Sequence, residues 1–252
     1  MATGSAFAEA ADLIPQLPGM SVGCHVVLVD GAPILPARQI PSVTKSEGRF
    51  ESKLSSFVRQ ALLGRLRADE IEAEATAQIR KLQAAGIRLS HFDTHKHTHM
   101  FPQIARPLLR AARACGVQAV RNPFEGPKLS LLSWNRQLWI RQFQTALLSS
   151  LAAGFRRSVA EHGVATTDGT IGIAATGSMT MRSLQPLIES LPQGTWEWVC
   201  HPAYNDADLK NAGTRLLDSR EVELEILTAP DLRETLERAG IELITFRDLA
   251  VQ

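Results

Sequence analysis

The chain has 252 residues, 27 Lys+Arg against 26 Asp+Glu, and 44% hydrophobic residues, a make-up that excludes disorder as its dominant state and supplies enough apolar surface for a core. The formal net charge of +1 gives no basic field for a polyanion, so nucleic acid is not an expected partner. Cys24, Cys115 and Cys200 make no CxxC pair, which argues against a disulfide framework or a thiolate zinc cluster.

No run reaches the roughly 18 apolar residues of a membrane span, and residues 1–7 lack the pattern of a secretory leader. The expected compartment is the cytoplasm. In chain order, residues 33–50, with Pro33, Pro36 and Gly48, read as a long loop of the kind that often serves function. Over residues 69–85, Ile71, Ala75, Ile79 and Leu82 recur at helical spacing with charges between them, and Gly86 stands where the helix ends. The apolar run 87–93 then reads as a strand. Pro102 opens a second helix carrying Ile104, Leu108, Leu109 and Ala112, which Gly116 closes before a strand at 117–121. The pattern recurs as helix 183–191, Gly194 and strand 196–200, and again as helix 231–239, Gly240 and strand 241–246. Helices alternating with short apolar strands predict parallel crossover units. The expected fold is a single α/β domain over 1–252, an irregular TIM-like barrel.

Between the second and third of these units, residues 129–159 carry Trp134, Trp139, Phe143 and Phe155 interleaved with Arg136, Arg141, Arg156 and Arg157. This is an amphipathic helix whose apolar stripe either packs on the barrel or meets a membrane surface and admits a lipid-linked sugar.

The densest chemistry lies at 90–102. Counted at strand periodicity, His91, Asp93, His95, His97 and His99 share one face, with Phe92, Thr94, Lys96 and Thr98 on the other. Any one such histidine could be a satisfied core residue. Five polar groups in nine positions exceed what a structural strand needs, and they stand just before a helix, at the strand end where α/β sites are built. His25 interrupts the apolar run 22–28, and His201 ends the apolar strand 196–200 before Pro202. Each alone is weak; together they bring three histidine-bearing strand ends to one barrel. Imidazoles with carboxylate suit zinc or a similar divalent ion and hydrolysis of an amide or ester. Arg121 and Asp168 are weaker candidates for substrate binding, and a strand-end arginine paired with a structural carboxylate is an equal reading of the former.

Gly23-Cys24-His25-Val26-Val27-Leu28, the run from His91 to His99, Val120-Arg121-Asn122-Pro123 and Cys200-His201-Pro202 resemble, in order and spacing across the whole chain, the YdjC-like (ChbG-type) carbohydrate deacetylases. Leu28-Val29-Asp30-Gly31 followed by Pro33 and Pro36 is most similar to the hopanoid-biosynthesis-associated branch, HpnK. The resemblance implies an irregular barrel that removes an acetyl group from an N-acetylated sugar with one divalent metal ion, zinc or magnesium. It implies His25 and His95 as metal ligands and His201 as the group that protonates the leaving amine or holds the acetyl oxygen. The substrate it implies is an N-acetylglucosaminyl hopanoid, met at the inner membrane.

Family members open with an Asp-Asp-Phe-Gly-like strand end that supplies a third ligand and a general base. This sequence contains no such motif, and the expectation is a barrel without its first strand-helix-strand unit and with impaired activity. An uncovered strand face predicts a homodimer or aggregation. Two other readings remain open: a different metal-dependent amidohydrolase or phosphoesterase, and a non-catalytic sugar- or lipid-binding remnant.

Overall fold

The computed structural model describes residues 1–125, 151–173 and 175–249. These divide into two compact units, the first comprising residues 1–123, 151–166 and 245–249, the second residues 124–125, 167–173 and 175–244.

The first unit begins with helix α1 (Phe7–Leu13) and strand β1 (Val22–Val26). Helices α2 (Leu54–Leu62) and α3 (Ala68–Ala84) follow, then β2 (Leu89–Thr94), α4 (Pro102–Ala114) and β3 (Ala119–Val120). Helix α5 (Ala152–Glu161) returns to the same unit. The strands form a parallel sheet in the order β1-β2-β3, extended at one edge by a bridge between Ala119 and Ala165. The register sets Gly23 opposite His91 and His25 opposite Asp93. The helical spacing of Ile71, Ala75, Ile79 and Leu82 is a buried stripe as expected, and α3 packs against α4 and β1. Gly86 and Gly116 take the left-handed φ that ends each helix.

The charges between those apolar positions are not all solvated. Glu70, Glu74 and Gln78, one turn apart, are buried as well. Glu74 accepts the backbone N–H groups of Ile34 and Leu35 at 2.8 and 2.9 Å, and Glu70 accepts that of Ser42 at 2.7 Å. Gln78 accepts the N–H of Val27 and donates to its carbonyl. This polar face of α3 ties down the long loop that follows β1, satisfying backbone groups that would otherwise be buried unpaired.

The second unit holds the parallel pair β4 (Gly169–Ile171) and β5 (Trp196–Trp198). Helices α6 (Met181–Glu189), α7 (Ala207–Asn211), α8 (Asp218–Thr228) and α9 (Leu232–Arg238) complete it. Thr180 and Ser183 form a capping box at the start of α6, and Ile171, Leu184, Ile188, Ile226 and Leu236 form its core.

The α/β fold with parallel strands is as expected, and two further expectations, on residues 241–246 and on the histidine strand, are corrected. Among the described residues the strands form a three-stranded and a two-stranded parallel sheet, and no closed barrel is present among them. Residues 241–245 are irregular, and Phe246–Leu249 is a short helix, α10, because the Asp248 carboxylate accepts both the amide and the hydroxyl of Thr245 and winds the chain into a turn. The strand expected to carry histidines as far as residue 99 stops at Thr94.

Of the amphipathic segment 129–159, residues 129–150 lie outside the described residues. In the remainder, Phe155 and Val159 of α5 are buried. No helix among the described residues is long and apolar enough to cross a membrane.

Candidate functional site

Beyond Thr94 the chain turns through His95–Met100, with Lys96 and His97 at φ 57° and 52°. Non-glycine residues seldom adopt this left-handed backbone. His99 holds the turn. Its amide donates to Thr94 Oγ1 at 3.1 Å, its Nε2–H donates to the Arg121 carbonyl at 3.0 Å, and its Nδ1 accepts from Thr94 Oγ1 at 2.6 Å. His99 is therefore a fully buried structural histidine, and the one-face alternation holds only for His91 and Asp93.

His91 has a separate environment. Its Nδ1 lies 2.9 Å from Ser90 Oγ, and its ring stacks on Phe246 of α10 at 3.8 Å between centroids. The other side faces Gly23, where an added Cβ would lie 2.4 Å from Nε2. Gly23→Ala is expected to destabilise the protein by about 1–3 kcal/mol through overpacking, measured by urea unfolding; a neutral effect would mean that the ring moves aside freely.

The turn leaves His95 beside His25. His25 Nε2 and His95 Nδ1 are 3.5 Å apart, with the rings edge to face. His25 Nδ1–H donates to Asp93 Oδ2 at 2.8 Å, which leaves Nε2 with its lone pair toward His95. The same Asp93 oxygen pairs with Arg121 Nη1. Burial would raise the Asp93 carboxyl, yet the hydrogen bond from His25 and the Arg121 guanidinium beside it outweigh it and hold the group well below the usual carboxylate range. Burial, reinforced by His25 and Lys96, brings His95 down to about 4, so its imidazole is neutral at pH 7 and able to act as a ligand. Outside this cluster, Lys96 Nζ meets Asp30 at 2.6 Å, a pair across the turn that sequence reasoning missed.

Two nitrogens bound to one tetrahedral ion at about 2.0–2.1 Å stand roughly 3.3–3.4 Å apart. The observed 3.5 Å is close to that bite, and both donors are of the type zinc prefers. The pair fits a divalent ion as two of its ligands. Among the described residues no group of three or more His, Cys, Asp or Glu is assembled to hold one.

His91 and His95 are lowered to about 4 and His99 to about 3, in each case mainly by burial, against an ordinary value of 6.5. Below pH 6.5 the unfolded chain takes up protons that these rings refuse, so stability falls as pH drops from about 6.5 toward 4 and on to about 3 for His99. Asp93 is depressed, so its contribution is present above pH 3.8 and is lost as pH falls below that. Urea unfolding in chelator should show stability declining between pH 7 and 5; a flat profile would contradict the burial of these rings.

The structure thus brings His25, His95 and Arg121 together around Asp93, which the sequence placed on the motif without its clamping role. Asp168 and His201 belong to the second unit. The Asp168 carboxylate accepts the Thr195 amide at 2.8 Å at the N-terminal end of β4, whereas α/β sites form at carboxyl ends; this placement favours a structural role over substrate binding. His201 follows β5, and its backbone N–H donates to the buried Glu223 of α8.

The chain belongs to the YdjC-like protein family, whose model matches residues 1–238. It is 31% identical over 255 residues to a chitooligosaccharide deacetylase of Serratia marcescens, covering 99% of this chain and 86% of that protein. A carbohydrate deacetylase of Brevibacillus brevis is 30% identical over 244 residues, covering 96% and 84%, and one of Mus musculus is 28% identical, covering 96% and 82%. The crystal structure of an Enterococcus faecalis V583 protein superposes with a TM-score of 0.74 over 99% of this chain and 85% of its own, at 24% identity; it bears on the α/β fold alone.

Proposed function

We propose that the protein is a carbohydrate deacetylase that hydrolyses the acetamide of an N-acetylated sugar, and that its substrate is an N-acetylglucosaminyl lipid of the hopanoid class. The observation that carries this reading is the His25–His95 pair, 3.5 Å between nitrogens and backed by Asp93. One divalent ion, zinc or magnesium, would be held by His25 and His95; when bound, such an ion polarises an amide carbonyl and lowers the pKa of water. Asp93 fixes the His25 tautomer, and Arg121 balances the Asp93 charge beside the substrate carbonyl. Water adds its oxygen to the acetyl carbon and His201 delivers a proton to the leaving amine as the C–N bond breaks, giving acetate and a free amino sugar.

Among the described residues two imidazoles make an incomplete site, and a carboxylate beside them would complete it and serve as base. The ligand count favours one second reading, a remnant that binds the sugar without turning it over. Acetate release from an N-acetylglucosaminyl lipid and from an N-acetyl chitooligosaccharide, with zinc or magnesium added, separates the two. The chain is compared with a form extended upstream by an Asp-Asp segment. Release by the extended form and little by the 252-residue chain is expected. Sugar binding without release by either form would establish the remnant.

A further inference from the structure

The segment that follows β5 is held by one helix through its backbone. Glu223 of α8, 4% exposed, accepts the His201 N–H, while Arg220, three residues earlier, donates from Nη1 to the His201 carbonyl at 3.3 Å. Arg220 also accepts the Ala203 N–H on its own carbonyl at 3.3 Å. Glu221 accepts the Asn205 N–H at 2.9 Å, and Asp218 accepts the Asn205 side-chain amide at 2.6 Å. Both backbone groups of His201 are thus engaged by side chains of α8, and three further hydrogen bonds fix the chain up to residue 205.

Such a grip is more than a loop needs for solvation. A surface loop could satisfy these groups with water, whereas burying a carboxylate to accept one amide costs desolvation and is repaid by a charge-assisted hydrogen bond with a fixed geometry. The Pro202 ring, lacking an N–H, removes the next competing donor. The His201 Cα, and with it the origin of the imidazole, is consequently set by α8, which is anchored in the core of its unit through Ile226.

We infer that Glu223 and Arg220 are positioning residues for His201: they act on the reaction only through the placement of its imidazole. This rests on the reading of His201 as the proton donor. Positioning of a reacting group to within about 1 Å can be worth roughly 100-fold in rate. Glu223→Asp shortens the side chain by one methylene and keeps the charge, whereas Glu223→Gln keeps the acceptor oxygen at its full reach.

The test uses the full chain labelled with 15N-histidine, with the His201 amide assigned from the H201A spectrum. Its amide proton is expected well downfield, as for a strong hydrogen bond to a carboxylate, and is expected to move in E223D and in R220K. In the acetate-releasing form, E223D is expected to lower kcat by about 100-fold with KM little changed, and E223Q to restore most of that loss. An unmoved His201 amide in folded E223D and R220K would overturn the inference. So would equal kcat in E223D and the parent while H201A is inactive. Full activity in H201A would instead overturn the proton-donor reading, and the positioning role with it.

Discussion

Asp93→Ala should unfold more readily than the parent by about 3–5 kcal/mol, because it removes the buried carboxylate that pairs with the Arg121 guanidinium and accepts the His25 N–H. Asp93 is 7% exposed at its side chain and Arg121 17%, so solvent can compensate only in part. The substitution also frees the His25 tautomer, and loss of such a backing carboxylate typically lowers metal affinity by about 10- to 100-fold. Asp93→Asn, which keeps the shape and one acceptor, should recover part of the stability and little of the affinity. Chemical unfolding and zinc titration of the two variants check this. Equal stability in parent and Asp93→Ala would mean that the Arg121 pairing is not formed.

Replacing the histidines of the 95–100 turn one at a time should divide them sharply. His99→Ala loses a fully buried ring with hydrogen bonds on both nitrogens. It leaves a cavity and removes the hydrogen bonds to Thr94 Oγ1 and to the Arg121 carbonyl, and should cost about 3–5 kcal/mol. His95→Ala removes a ring that is only partly buried and has no backbone to hold, so its effect on stability should be small. Its effect on zinc binding and acetate release should be near complete. Unfolding free energies and zinc affinities of the two variants give the test. Comparable destabilisation by both, or zinc binding that survives His95→Ala, would contradict the division of labour.

That division marks the limit of what the chain could be read to say. The stripe of α3 and the glycines closing α3 and α4 follow from local periodicity and turn chemistry, which act over a few residues. The candidate ligands His25 and His95 were legible as residues, from the glycine-flanked strand and the histidine run. Their separation from His91, His97 and His99 came from the family resemblance and not from periodicity, because the turn after Thr94 depends on two left-handed residues, Lys96 and His97, that no pattern of two can register. The buried face of Glu70, Glu74 and Gln78 escaped for a related reason. A carboxylate on a helix reads as solvated until the loop it caps is folded against it. The expected strand at 241–246 failed where Thr245 and Asp248 form a local side-chain turn, which competes with extended backbone.

The central claim is that His25 and His95 are two ligands of one ion, and calorimetric titration of the chain with zinc tests it most directly. The account predicts one ion per chain, lost in both His25→Ala and His95→Ala and retained in His91→Ala. Two ions per chain, or undiminished binding after removal of both His25 and His95, would contradict it.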